Sequence, residues 1–429
     1  MDYPRTPRDR PDHRSVAGSA PSRSAVIPHW LLPEGTDPSI RPVLVGRALR
    51  AFADGYVAIL LPVYLLALGF GTWEVGLIAS TTLLGSAAAT LAVGAWGHRV
   101  HHRSLLLGAA ALMAATGPAF ALGSNLWPLL LIAFVGTLNP SAGDVSVFLP
   151  LEHARLAEAA HGEARTGLFA RYSLLGALFA ALGALAAGAP EQLVLHAGLA
   201  RLDALRVMFG FYGLVGAMVW LLYRRLPDAH ADEGRPTPGP LGPSRGIVLR
   251  LAALFSVDAF AGGLVVNSLL ALWLFQRFNL SLGAAGLFFL WSGLAGAASQ
   301  LAAPRLARRI GLINTMVFTH IPASLCLIAA AFAPRMEWAL GLLLLRSLMS
   351  QMDVPARSAF VMAVVTPGER AAAASFTTVP RSLASALSPA LGGALFATGW
   401  LAVPLVACGV LKIAYDLALW RAFRKTGTR

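Results

Sequence analysis

The 429-residue chain is poor in charge and in cysteine, and it lacks the short motifs that carry most soluble enzyme chemistry. Charged residues make up 13% and hydrophobic residues 56%, where soluble domains carry about 25% charge. With a mean hydropathy of +0.65, this excludes a soluble globular protein. Cysteine occurs twice, as Cys326 and Cys408, each inside an apolar stretch with no CxxC or Cys/His spacing. A disulfide framework is therefore not indicated, and both are expected to be small buried side chains. No HExxH, GxSxG or GxxxxGK[ST] sequence occurs, which argues against metalloprotease, serine-hydrolase and self-contained ATP-driven chemistry. The chain is expected to be no enzyme, and no cofactor or metal site is expected. Residues 1–42 hold several arginines among Pro, Ser and Asp but no apolar core like that of a cleaved signal peptide. They read as a disordered basic tail. The net charge of +13 is scattered between apolar runs rather than gathered on one face, so no nucleic-acid partner is expected.

What is abundant is apolar sequence in runs of the roughly 20 residues that a membrane-spanning helix needs. Twelve segments can be counted, near 43–68, 73–96, 104–123, 127–150, 165–189, 204–223, 247–275, 282–304, 312–333, 337–364, 370–397 and 400–422. A Pro, Gly and charge-rich stretch at 224–246 reads as a flexible linker. It divides the chain into six-helix bundles at 43–223 and 247–422, with a short tail at 423–429. The expected fold is an all-α integral membrane protein of twelve helices in two halves.

Orientation follows from the short loops. Arg99, Arg103, Arg155, Arg165, Arg224, Arg225, Arg305, Arg308, Arg309, Arg370 and Arg421 lie on one side, with Arg201, Arg206, Arg277 and Arg335 on the other. The richer side is expected to be cytoplasmic, with both termini inside. Trp73, Trp127, Trp338 and Trp400 then fall at outer helix ends, where indole rings anchor at lipid headgroups.

The halves repeat one another. Asp54 in helix 1 and Asp258 in helix 7 occupy similar places, and Asp144 precedes Arg171 by 27 residues where Asp353 precedes Arg381 by 28. Repeats of this kind are a transporter architecture with the site near the midplane. The loop after helix 2 contains Gly94, His98, Arg99 and Arg103, and Pro304 to Ile313 is its basic counterpart in the second half. In its topology and in this loop the chain resembles the major facilitator superfamily. The opening Gly and both arginines fit the family's loop motif, while His98 stands where the motif has Asp and His101 where it has Gly. Helix 5 lacks the Gly and Pro run of the drug–proton antiporters, and a comparable SPALGG occurs in helix 11. The resemblance implies two halves related by pseudo-twofold symmetry and transport by rocking them. It also implies helices 1, 4, 7 and 10 along the path, and helices 2, 5, 8 and 11 at the interface.

Ionisable residues within a bilayer cost a few kcal/mol each and tend to face a cavity or a partner. They are read in helix 1 (Asp54), helix 4 (Asp144), helix 5 (Arg171), helix 7 (Asp258), helix 10 (Arg346, Asp353, Arg357) and helix 11 (Arg381), with none in helices 3, 8 and 9. At 1.5 Å per residue, Asp258 and Arg346 lie about 16 Å and 12 Å into the membrane from opposite faces, both near the midplane. They are expected to form a substrate or proton site, a permanent ion pair being the alternative. Asp144 and Asp353 lie in the cytoplasmic third, where pairing with Arg171 and Arg381 would make a gate. Asp54 shares a helical face with Arg47 and Arg50, so a local ion pair and proton carriage both stand. Glu152, His153 and Arg155 are expected at the inner surface. His98, His101 and His102 are close enough to raise a metal, but a solvated loop facing lipid phosphates is preferred. Asn139, Asn267, Gln300 and Gln351 could read a solute or join helices. Pro62, Pro140, Pro322, Pro355, Pro380 and Pro389 are expected to interrupt helices.

The function expected is secondary active transport of a small organic solute, coupled to protons, by alternating access. The partners are that solute, protons and membrane lipids; a monomer in a bacterial inner membrane is expected. Efflux by antiport and uptake by symport both remain, and so does a non-transporting sensor or enzyme on the same scaffold.

Overall fold

Backbone polar groups in a hydrocarbon layer must bond within their own segment, and apolar runs of this length can do so only as helices. The structure, a computed structural model, describes residues 32–96, 99–141, 146–227 and 242–424, and every long element among them is an α-helix. His98, Asp144, most of the N-terminal tail and most of the linker lie outside the described residues.

The first half contains α1 (Arg41–Ala67), α2 (Thr72–Trp96), α3 (His102–Leu122), α4 (Leu126–Val135), α5 (Phe148–Ala159), α6 (Gly162–Ala186), α7 (Ala189–Ala197) and α8 (Arg201–Tyr223). The second contains α9 (Arg245–Gly263), α10 (Asn267–Phe278), α11 (Leu282–Ile310), α12 (Leu312–Ala331), α13 (Met336–Ser350), α14 (Asp353–Val364), α15 (Arg370–Ala397) and α16 (Val403–Phe423). Among the described residues, nine helical stretches are long and apolar enough to cross a membrane. The remaining three expected segments are α4 with α5, α13 with α14, and the more polar α15, so twelve crossings fit the fold. Leu131, Leu214, Leu301 and Phe318 are more than half exposed, as suits a surface that meets lipid rather than water. Trp73, Trp127, Trp338 and Trp400 are exposed at the end of the bundle away from the termini.

Expected helices 4, 7 and 10 are each interrupted: between Val135 and Phe148, between Gly263 and Asn267, and between Ser350 and Asp353. Pro140 lies in the first break and Pro355 just past the third. The other four prolines depart from expectation. Pro62, Pro322, Pro380 and Pro389 are carried inside continuous helices, where neighbouring helices can satisfy the freed carbonyls.

In the first half α1 packs on α6 and α8, and α3 on α8; in the second α12 packs on α13, α14 and α16. The halves meet along α2 with α15 and along α6 with α11. Small residues allow that approach: a Cβ on Gly393 would stand 2.5 Å from the Thr72 carbonyl, and one on Gly76 would strike the Pro389 carbonyl. Hydrogen bonds reinforce the seam. Thr72 Oγ1 donates to Gly393 O at 3.3 Å, and Ala390 N donates to Ser80 Oγ at 2.8 Å. Glu191 of α7 accepts from Leu282 N at 2.7 Å and Gly283 N at 3.0 Å, capping the start of α11 across the interface. These ties lie in the part of the molecule away from the chain termini.

At the terminus-bearing end, the Glu369 carboxylate accepts from Gly242 N, from Ser244 N at 3.3 Å and from Thr366 Oγ1 at 2.6 Å, fixing the start of α9. The Ser244 and Thr366 hydroxyls, with help from the two backbone N–H groups, hold its carboxyl at about 2, below the ordinary 4.5.

Candidate functional site

A cavity of about 340 Å³ lies between the halves. Its polar lining combines Arg47 and Asp54 of α1, Ser173 of α6, Ser292 and Gln300 of α11, and Arg346 and Ser347 of α13. Each of the three helix breaks adds a polar residue in it or at its edge: Ser141, Asn267 at the start of α10, and Gln351. Irregular backbone at membrane depth is tolerated where it lines such a cavity, and interrupted helices are a common way to build a transport site. Asn267 Nδ2 donates to Ser141 O across the halves at 2.9 Å, and Ser268 N to Pro140 O at 3.0 Å, so two of the breaks are stitched together. Ser292 and Ser347 hydroxyls are 2.7 Å apart, and Gln300 Nε2 donates to Gln351 Oε1 at 3.3 Å. The polar part of the wall is mostly hydroxyls and amides around a few charges, set among alanines and glycines.

Arg346 is half-buried on the cavity wall and forms no ion pair among the described residues. Asp258, its expected partner, is elsewhere. It is buried within the second half, with Lys412 Nζ at 2.6 Å, Arg357 Nη1 at 3.2 Å and His320 Nε2 at 3.9 Å. Asp258 and Arg346 therefore point into different compartments. Asp54 does line the cavity with Asn267. It forms no ion pair among the described residues, because Arg50 turns instead to Glu152 at 2.5 Å.

The expected gate is also rearranged. Asp353 pairs with Arg357 at 2.6 Å, one helical turn along α14, and not with Arg381. Asp at a helix N-terminus and Arg four residues on is a favourable local arrangement. Arg381 is exposed and forms no ion pair among the described residues. Arg171 is half-buried with Nη1 unbonded, and Asp144 lies outside the described residues. Of the loop motif, Gly94 and Arg99 are exposed, and Arg103 Nη2 donates to Arg224 O at 2.7 Å, tying the loop to the end of α8.

Several buried ionisable groups escape the sequence reading. Glu152, expected at the inner surface, is fully buried; it accepts from Arg50 and Tyr172 at 2.5 Å and from the Tyr223 hydroxyl, and the Arg50 guanidinium lies 3.9 Å from the Phe148 ring centroid. Helix 9, expected to hold none, carries His320, and helix 12 carries Lys412 and Asp416. The signal was present: Lys412 and Asp416 are four apart on one face of an apolar helix.

The Major Facilitator Superfamily family model matches residues 43–352. A Saccharomyces cerevisiae chain described as uncharacterized membrane protein YJR124C is 24% identical over 86% of this chain and 91% of its own length. Among solved structures, the nucleoside transporter NupG superposes with a TM-score of 0.70 at 15% identity, over 90% of this chain and 100% of that one. A bacterial homologue of the human lysosomal transporter Spinster, inward-facing and unoccupied, gives 0.68 at 16%, over 91% and 99%. The human organic anion transporter MFSD10 gives 0.63 at 18%, over 90% and 100%. At these identities the structural likeness speaks for the fold alone. The length of the family match, together with two helical halves around a shared polar cavity, establishes that this chain belongs to the major facilitator superfamily.

Proposed function

We propose that this chain is a secondary active transporter that carries a small organic solute bearing a negatively charged group, with both termini cytoplasmic. The observation that carries this is Arg346: a guanidinium on the wall of the cavity between the halves that forms no ion pair with a carboxylate among the described residues. A cation within a membrane-spanning segment that lacks a partner is costly; a solute carboxylate or phosphate would supply two oxygens in the geometry that arginine favours. The serines and amides around it can accept or donate to the rest of the solute. Asp54, on the opposite wall, is the group that a proton or a cationic portion of the solute would meet. The halves are tied at the end away from the termini, so the cavity belongs to a state that loads from the terminus-bearing side. Rocking about the α2–α15 and α6–α11 seams would expose it to the other side, driven by a proton gradient. Small organic anions should raise the melting temperature of the purified protein where their neutral analogues do not, and a hit should exchange across proteoliposomes in counterflow. Absence of flux for every stabilising compound would refute transport.

A further inference from the structure

A second set of charges lies outside the cavity, inside the second half. Asp416 of α16 meets His320 Nδ1 of α12 at 3.1 Å. His320 Nε2 lies 3.3 Å from Lys412 Nζ, which donates to Asp258 Oδ1 at 2.6 Å. Asp258 in turn accepts from Arg357, which also holds Asp353. The six side chains form one chain of contacts, none more than 13% exposed.

Its hydrogen-bond directions fix the histidine. An ammonium can only donate, so Nε2 facing Lys412 must accept, and Nδ1 then carries the hydrogen that points at Asp416. With that neutral ring, three carboxylates face two cations, and one negative charge is uncompensated in a buried site, which is strongly disfavoured. One added proton removes it. Asp416 is the member with room for one: it is fully buried, and both carboxylate oxygens lie 3.1 Å from the same His320 Nδ1, whose single hydrogen leaves Oδ2 without a hydrogen bond of its own.

We infer that His320 and Asp416 together form a proton-binding site, separate from the solute cavity, that holds one shared proton. The groups facing it from the packed elements are Asp258 on α9, Arg357 and Asp353 on α14, and Lys412 and Tyr415 on its own helix. Arg381 on α15 faces Asp258 and Asp353 from further off, but its side chain is exposed and enters none of the ion pairs. Arg346 on α13 lines the solute cavity and forms no ion pair with this set; α11 contributes no ionisable group along its apolar span. Asp258 and Lys412 serve as its fixed electrostatic frame. A proton arriving at Asp416 neutralises the cluster, and its departure leaves a charge that favours rearrangement of α16 against α9 and α12. As a coupling site, this rests on the transport reading; as a proton site, it does not.

The test is the infrared difference spectrum of the purified full-length protein between about pH 8 and pH 5, the range in which histidine-containing sites titrate, with and without carbon-13 aspartate labelling. Wild type should show one isotope-sensitive carboxyl signal with a linked imidazole change. Asp416→Asn, which mimics the protonated form and should fold, should remove it, and His320→Gln should move its midpoint. A wild-type spectrum with no such signal, or one that either variant reproduces unchanged, overturns the proposal. In proteoliposomes, Asp416→Asn should keep counterflow but lose accumulation driven by a pH gradient. No counterflow in wild type would refute transport while leaving the infrared result standing.

Discussion

Arg357 holds two aspartates at once, Asp353 at 2.6 Å on its own helix and Asp258 at 3.2 Å on α9. It thereby fastens the first and fourth helical segments of the second half to each other. The first half makes the same connection with acid and base exchanged, Arg50 on α1 reaching Glu152 on α5 at 2.5 Å. The repeat has kept the tie and inverted its polarity.

Removing Arg357 leaves two buried carboxylates without their shared cation, and breaking buried pairs of this sort costs about 3–5 kcal/mol. Arg357→Met should therefore lower the thermal midpoint far more than Asp353→Asn does. Adding Asp258→Asn and Asp353→Asn to Arg357→Met should recover much of the loss. Thermal unfolding in detergent measures all three.

In the first half, Glu152 is satisfied by one guanidinium and two phenols. Tyr223→Phe removes a single hydrogen bond to a charged group, worth about 1.5–3 kcal/mol, and leaves the Arg50 pair in place. Glu152→Gln should be worse, because it strands Arg50 as a buried cation. A Tyr223→Phe midpoint as low as that of Glu152→Gln would contradict this ordering.

At the cavity, Arg346→Gln should abolish the stabilisation of the protein by anionic ligands, and Arg346→Lys should keep part of it, since lysine supplies charge without the fork. Asp54→Asn should leave anion binding intact and alter the response to pH. A ligand shift unchanged in Arg346→Gln would remove this arginine from recognition.

The seam at the end away from the termini offers a test of rocking. Ser80 and Ala390 are in direct hydrogen-bond contact across the halves, and the two native cysteines are buried or half-buried. A Ser80→Cys, Ala390→Cys pair should form a disulfide that stops flux and releases it on reduction. Full flux in the oxidised protein would exclude opening at this seam.

Glu369 sets an acid limit. Its carboxyl is held at about 2 in the folded protein against an ordinary 4.5, so it stabilises the fold above about pH 4.5 and loses that contribution as the pH falls toward 2. Glu369→Gln should flatten the loss of thermal stability over that interval. An unchanged acid limb would show that the loop does not matter.

Much of this protein was legible without coordinates. Runs of about 20 apolar residues can only become helices in a bilayer, and Asp54, Asn267 and Arg346, polar residues in apolar helices, do reach the cavity wall. Pairing was not legible, because it depends on which faces of different helices meet. The regular spacing of Asp353 and Arg381 suggested a partner 28 residues away, yet a neighbour one turn along reaches Asp353 first. Asp258 and Arg346 share a depth, but depth is one coordinate. The rotation of each helix about its axis, set by the packing of α9 on α16 and of α12 on α13, turns Asp258 towards Lys412 and leaves Arg346 facing the cavity. Sequence therefore determined the membrane fold and its repeated halves. Only the tertiary packing decided which charges neutralise one another and which remain to meet a solute.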